Sequence, residues 1–219
     1  MIKCCIFDLD GTILDTITTI THFVNGAITP YGIKPISIDE CKYFAGNGAR
    51  KLIYRTLESR GVTDSALSEK ILVEYNEAYD KNPLHLTGVF EGMTEVLARL
   101  RSEGIKLAVL SNKPDPTVKQ VVSGFFPGIF DVALGGREGV PLKPSPAAAL
   151  DILAELGFTP DECVWVGDTS TDIETGKNLG AKISVGVLWG FRKRDELEGA
   201  GADAVISSPS ELLGVLNLA

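Results

Sequence analysis

Three observations predict an α/β protein with a doubly wound, mostly parallel sheet and an inserted block of helices. Strand-like and helix-like segments alternate from residue 86 to the end of the chain. A short apolar run, Ile2 to Phe7, breaks at once into the charged turn Asp8-Leu9-Asp10-Gly11-Thr12. Residues 17–82 abandon that alternation and read as helices throughout. Repeated βαβ units lay parallel strands side by side with helices on both faces. With 219 residues the chain can hold one such core and a small insert.

The elements follow in order. After the first strand come helices over Ile17–Ala27, Ile38–Lys42, Ala49–Ser59 and Ser65–Tyr79, and Asn82-Pro83 with Gly88 punctuates the return. Met93, Val96, Leu97 and Leu100 recur at helical spacing until Gly104 stops that helix ahead of a strand ending at Leu110. A third strand covers Val132 to Leu134. Ser145 can cap a helix with Pro146 at its first position, running through Leu150 and Leu153 to Gly157. Cys163 to Val166 is a fourth strand, and Ile173 to Leu179 a short helix stopped by Gly180. Ile183–Val187 and Ala204–Ile206 are further strands, and Glu211–Leu216 a last helix. The expected domains are an α/β core, 1–16 and 84–219, and an inserted helical domain, 17–83, joined by linkers near Asp15–Ile17 and Leu84–Val89.

Composition narrows the possible functions. Hydrophobic residues make up 44% and charged residues 23%, as in ordinary globular proteins. The net charge of −8 argues against a nucleic-acid partner, since phosphate backbones need a basic footprint. An acidic protein that handles an anion must instead rely on local cations. No segment approaches the ~20 apolar residues of a membrane span, and the N-terminal apolar stretch meets Asp8 too soon for a secretory leader. Cys4, Cys5, Cys41 and Cys163 show no metal spacing and read as small buried hydrophobes. A cytoplasmic protein, monomer or homodimer, is expected, with no membrane partner.

The chemistry lies at strand ends. Asp8 and Asp10, two residues apart, point the same way from the end of a strand. Burying two like charges together is costly unless a cation or a reaction needs them. Gly11 permits the sharp turn, and the Thr12 hydroxyl can meet an anion. The second strand ends in Ser111-Asn112-Lys113. Lys143 lies in Leu142-Lys143-Pro144-Ser145-Pro146 after the third, and Gly167-Asp168-Thr169-Ser170-Thr171-Asp172 follows the fourth. In open α/β sheets ligands bind outside the carboxyl ends of the strands, so these groups converge. Acid, hydroxyl, ammonium and acid together suit magnesium and phosphate. Lys143, ahead of Pro144, is expected in an extended loop.

With all four motifs in order along nearly the whole chain, the sequence resembles the haloacid dehalogenase superfamily of phosphohydrolases, whose core is Rossmann-like. Phe7-Asp8-Leu9-Asp10-Gly11-Thr12 and Gly46-Asn47-Gly48-Ala49 look most like its phosphoglycolate phosphatase branch, although Ile13 and Thr16 stand where Leu and Ser are commoner. The resemblance implies a magnesium-dependent hydrolase of a small phosphorylated metabolite, with a helical cap over the site. It implies Asp8 as nucleophile, forming an aspartyl phosphate, and Asp10 as general acid and then base. It places Mg2+ on Asp8, Asp168 and the Asp10 carbonyl, with Asp172 holding metal-bound water or orienting Lys143. Ser111 and Asn112 are expected to bind the phosphoryl oxygens, and Lys143 to neutralise charge developing on phosphorus. Asp168 and Asp172 have a second reading as helix N-terminal caps, and Ser111-Asn112 as a plain turn.

Gly46, Asn47 and Gly48 form a cap loop expected to reach substrate. Arg50 could meet a carboxylate on the leaving group; alternatively Arg50, Lys51 and Arg55 are an exposed basic helix face. His22 and His85 lie in no motif. A serine-hydrolase elbow is absent, and the P-loop pattern fails at Thr171 and Asn178. Within the superfamily a β-phosphoglucomutase-like sugar phosphomutase is the rival reading. A non-catalytic binding protein of the same fold is disfavoured because Asp8, Asp10, Lys143 and Asp168 are all present.

Overall fold

The computed structural model describes residues 1–218; Ala219, the last residue of the expected core range, lies outside the described residues. The chain divides into two compact units, Met1–Asp15 with Gly88–Ala219, and Thr16–Thr87.

The first unit is built on strands β1 (Cys4–Phe7), β2 (Leu14–Asp15), β3 (Gly88–Val89), β4 (Lys106–Pro114), β5 (Val132–Gly136), β6 (Cys163–Gly167), β7 (Ile183–Val187) and β8 (Ala204–Ile206). Six of them form one sheet in the order β5-β4-β1-β6-β7-β8, with every neighbouring pair parallel. All four residues of β1 are buried, which is why it reads as an unbroken apolar run. Cys5 and Phe7 enter a core with residues of helices α5 (Met93–Ser102) and α6 (Asp115–Phe125). Cys4 and Ile6 join the opposite core with α7 (Ala147–Leu156) and α8 (Ser170–Leu179). Strand alternation therefore feeds two cores, one on each face, and the sheet is doubly wound. The four cysteines are free and buried.

Several boundaries differ from the sequence expectation. β4 continues past Leu110 to Pro114. Its register against β5 breaks there, so Ser111, Asn112 and Lys113 form a bulge rather than a plain turn. The loop around Lys143 is not extended. It is a turn closed by the Ser145 N–H donating to the Leu142 carbonyl at 3.0 Å, with a cis Lys143–Pro144 bond. Helix α7 starts at Ala147, so Pro146 precedes it, while the Ser145 hydroxyl accepts from the Ala147 N–H. Helix α9 (Arg194–Gly199) was unannounced by any apolar period, since Leu197 is its one buried residue. The unit closes with α10 (Glu211–Val215). Residues flanking the helical insert pair with each other: β2 and β3 make a short antiparallel ladder.

The second unit holds α1 (Ile17–Ile28), α2 (Ile38–Phe44), α3 (Ala49–Glu58) and α4 (Ser65–Lys81). Ser37 and Glu40 form a capping box at α2, and the Asp64 carboxylate caps α4 through the Ala66 and Leu67 N–H groups. Val24, Ile28, Ile53, Leu57 and Ile71 are buried in this unit. Among the described residues no helix is long and apolar enough to cross a membrane.

Candidate active site

The sheet order turns at β1. Chain order runs outward through β4 and β5 on one side and resumes on the other at β6. A crevice opens at such a switch point, outside the carboxyl ends. Asp8 follows β1, Asp168 follows β6, and Asp172 sits in the first turn of α8. One carboxylate oxygen from each lies within 4.8 Å of the other two, and all three residues are buried.

Lys143 ties this cluster together. Its Nζ donates to Asp8 Oδ1 and to Asp172 Oδ1, each at 2.6 Å, and stands 5.8 Å from the Trp165 ring centroid. The Asn112 side chain grips the Lys143 backbone from both sides. Its Oδ1 accepts from the Lys143 N–H at 2.8 Å, and its amide donates to the Lys143 carbonyl at 3.2 Å. The second oxygen of Asp172 accepts from the Thr169 N–H at 3.1 Å and from the Thr169 hydroxyl at 2.6 Å. Asp172 is thus a helix-capping residue and a Lys143 partner at once, one oxygen for each task.

Asp168 is held from two loops. The buried Thr12 hydroxyl donates to its Oδ1 at 3.1 Å, and the Phe191 N–H donates to its Oδ2 at 2.7 Å. Gly11, with φ at +86°, passes so close that a Cβ there would lie 2.4 Å from Asp168 Oδ2. A Cβ on Gly190 would stand 2.4 Å from the Asp168 Cβ and from the Gly11 carbonyl. Trp189 Nε1 donates to the Thr12 carbonyl at 2.9 Å, which fastens the loop after β7 to the loop after β1.

Electrically the cluster is unbalanced, with three buried carboxylates facing one ammonium. Burial pushes the Asp8 carboxyl up to about 7, and Asp172 adds to this against the pull of Lys143. Burial, with Asp172 and Asp8, also raises Asp168 well above the ordinary carboxylate range. Burial works against the Lys143 ammonium, but Asp172 and Asp8 outweigh it and hold that group above its usual value. Oxygen-only donors, deeply buried and in excess of their counter-charge, fit a hard divalent cation.

Asp10 is placed apart. Its carboxylate takes Lys113 Nζ at 2.8 Å and 3.0 Å, one contact per oxygen. The Ser111 hydroxyl is buried and accepts from the Lys113 N–H at 3.3 Å. In the helical unit, Gly46, Asn47 and Gly48 form the loop between α2 and α3. Asn47 Oδ1 accepts from Arg55 at 2.9 Å, and Arg50 donates to Glu69 while lying over the Tyr54 ring. His22 and His85 meet edge to face at 5.1 Å within that unit.

Reading the sequence did not single out Lys113, Trp189, Gly190 or Phe191. The last three follow β7 as Asp168 follows β6, so the strand-end rule applied once more would have found them. Lys113 belongs to the Ser111-Asn112-Lys113 strand end noted above, but its pairing with Asp10 depends on where its side chain turns, which the sequence pattern does not give.

A parallel α/β sheet with acids, a hydroxyl and a buried lysine gathered at its switch point defines a hydrolytic enzyme of the phosphoryl-transfer kind. Over residues 5–186 the chain matches the haloacid dehalogenase-like hydrolase family. It is 32% identical over 213 residues to the phosphoglycolate phosphatase of Aquifex aeolicus, covering 97% of this chain and 95% of that protein. To the phosphoglycolate phosphatase of Pseudomonas putida it is 30% identical over 214 residues, covering 94% and 77%. A crystal structure from Lactobacillus delbrueckii subsp. bulgaricus superposes with a TM-score of 0.90 at 31% identity, covering 98% of each chain. The chain belongs to the haloacid dehalogenase-like hydrolases, and among them it is a phosphatase.

Proposed function

We propose that the protein hydrolyses phosphoglycolate, or a small phosphate ester like it, through an aspartyl phosphate on Asp8. The observation that carries this reading is the buried Asp8–Lys143–Asp172 chain beside Asp168. Lys143 orients one Asp8 oxygen and leaves the other to attack phosphorus. As that bond forms, the ester P–O bond breaks, and the leaving oxygen takes a proton from Asp10. Asp10, now a carboxylate, removes a proton from water, which attacks the aspartyl phosphate, frees Asp8 and yields inorganic phosphate. Asp8 and Asp168, with the Asp10 carbonyl, would hold Mg2+, and Asp172 serves that site through Lys143. When bound, the ion supplies the positive charge that the cluster lacks and neutralises the phosphoryl oxygens.

Ser111 and the backbone of the β4 bulge are assigned to the phosphoryl oxygens. The Asn112 side chain fixes Lys143, and Thr12 orients Asp168. The helical unit is proposed as a cap, with Gly46, Asn47, Gly48 and Arg50 contacting the leaving group. Relatives named phosphoglycolate phosphatase support the choice of substrate. The test is phosphate release from a panel of metabolites with Mg2+ or chelator, alongside Asp8→Asn. Phosphoglycolate should be turned over only with Mg2+, and the variant should lose at least about 10⁴-fold. Turnover of other esters but not this one would reject the substrate. Full activity in D8N would reject the mechanism.

A further inference from the structure

The phosphoryl half of the site has its cation in Lys143. A second cation, Lys113, stands over Asp10, and nothing in the chemistry above uses it. Its side chain is 10% exposed and that of Asp10 16%, so the pair is largely withdrawn from water. The ammonium contacts both carboxylate oxygens, at 2.8 Å and 3.0 Å. While so held, Asp10 has no oxygen free of this contact to turn toward an ester. The Lys113 backbone is pinned in the β4 bulge, where its N–H donates to Ser111 Oγ. A lysine stem swings easily about such a fixed point, and its compact charge accepts any carboxylate in reach.

We propose that Lys113 reads the charge of the leaving group and through it positions Asp10; this rests on the phosphatase reading above. One ammonium faces two carboxylates in turn. At rest it holds Asp10. A substrate whose leaving group carries a carboxylate a few bonds from the ester oxygen draws Lys113 to itself, and Asp10, released from the ammonium, takes up a proton from water and turns toward that oxygen to deliver it. An ester with a neutral leaving group offers Lys113 no competing carboxylate, so Asp10 stays held. The preferred substrates are therefore phosphate esters of short hydroxy acids, and the discrimination falls on kcat as well as KM. Arg50, the cation proposed for this task in the helical unit, already donates to Glu69.

The test compares phosphoglycolate with ethyl phosphate, which has the same chain length and no carboxylate, in wild-type protein, Lys113→Met and Lys113→Arg, all with Mg2+. Wild type should favour phosphoglycolate. In K113M its kcat/KM should fall by roughly 30-fold or more, as when one partner of a shielded charge pair is removed. Ethyl phosphate should fall far less or gain in kcat, and K113R should recover much of the preference. Equal losses on both esters, or no loss on either, would overturn the proposal, as would a wild type that favours ethyl phosphate. Thermal melts separate loss of fold from loss of selectivity. Failure of wild type on every ester would strike the nucleophile assignment itself, and this inference with it.

Discussion

Lys143 and Arg60 each hold carboxylates, but in opposite surroundings. In the α/β unit, Lys143 is 3% exposed and its partners Asp8 and Asp172 are 8% and 1% exposed, with Asp168 beside them. In the helical unit, Arg60 meets the half-exposed Glu40 one to one and donates also to the carbonyls of Lys34 and Pro35 and to the Ser59 hydroxyl. The second arrangement is balanced, and it braces the chain before α2 against the end of α3. The first leaves negative charge over, out of water, where it can be relieved only by a proton or a cation. An ion pair that closes its own account is architecture; one that does not is a binding site.

Removing Lys143 should sharpen that contrast most. Lys143→Met leaves three buried acids without a counter-charge, which should cost roughly 3 kcal/mol or more of stability and about 10²–10³ in turnover. Urea denaturation and phosphate release measure the two effects. A stable K143M would mean that the cluster is wetter than it looks.

The next effect concerns pH. Asp8 is raised from 3.8 to about 7 in the folded protein, so between those values the native state binds the proton better than the unfolded chain does. In chelator, stability should therefore fall as pH rises from about 4 to about 7, and added Mg2+ should flatten that slope. Melting temperatures across this range with and without Mg2+ decide it. A flat chelated profile would break the comparison.

The smallest effect belongs to the balanced pair. The Arg60 guanidinium and the Ser37 N–H hold Glu40 down at about 2, below its ordinary 4.5. Its contribution is thus present above pH 4.5 and fades toward pH 2. Being exposed, it should amount to less than about 1 kcal/mol, so Glu40→Gln should lower the melting point slightly at pH 7 and not at all near pH 2.

The sequence made β1, β6 and their acids legible because a strand buried on both faces is apolar until it stops, and Asp8 and Asp168 mark where it stops. Most helices were legible where an apolar period ran for several turns, as from Met93 to Leu100, but α6, with Val118, Val121 and Val122 buried at helical spacing, went unread. A helix such as α9, with Leu197 alone buried, offers no period to read. The bulge in β4 also escaped, since it depends on how Leu110 and Pro114 register against another strand. With the bulge went the orientation of Lys113, and with the turn at Lys143–Pro144 the role of Asn112 as its clamp. What stayed hidden was set by contacts between segments far apart in the chain.

The ladder between β2 and β3 bears on how such a protein diversifies. Leu14 pairs with Val89 and Asp15 with Gly88, so the chain leaves the sheet unit and re-enters it at neighbouring points. Whatever lies between those points is a loop whose mouth is already closed, and lengthening a closed loop adds only a logarithmic entropy penalty. The junction works as a socket: inserts of other sizes can be grafted there while the strands that carry the acids keep their register.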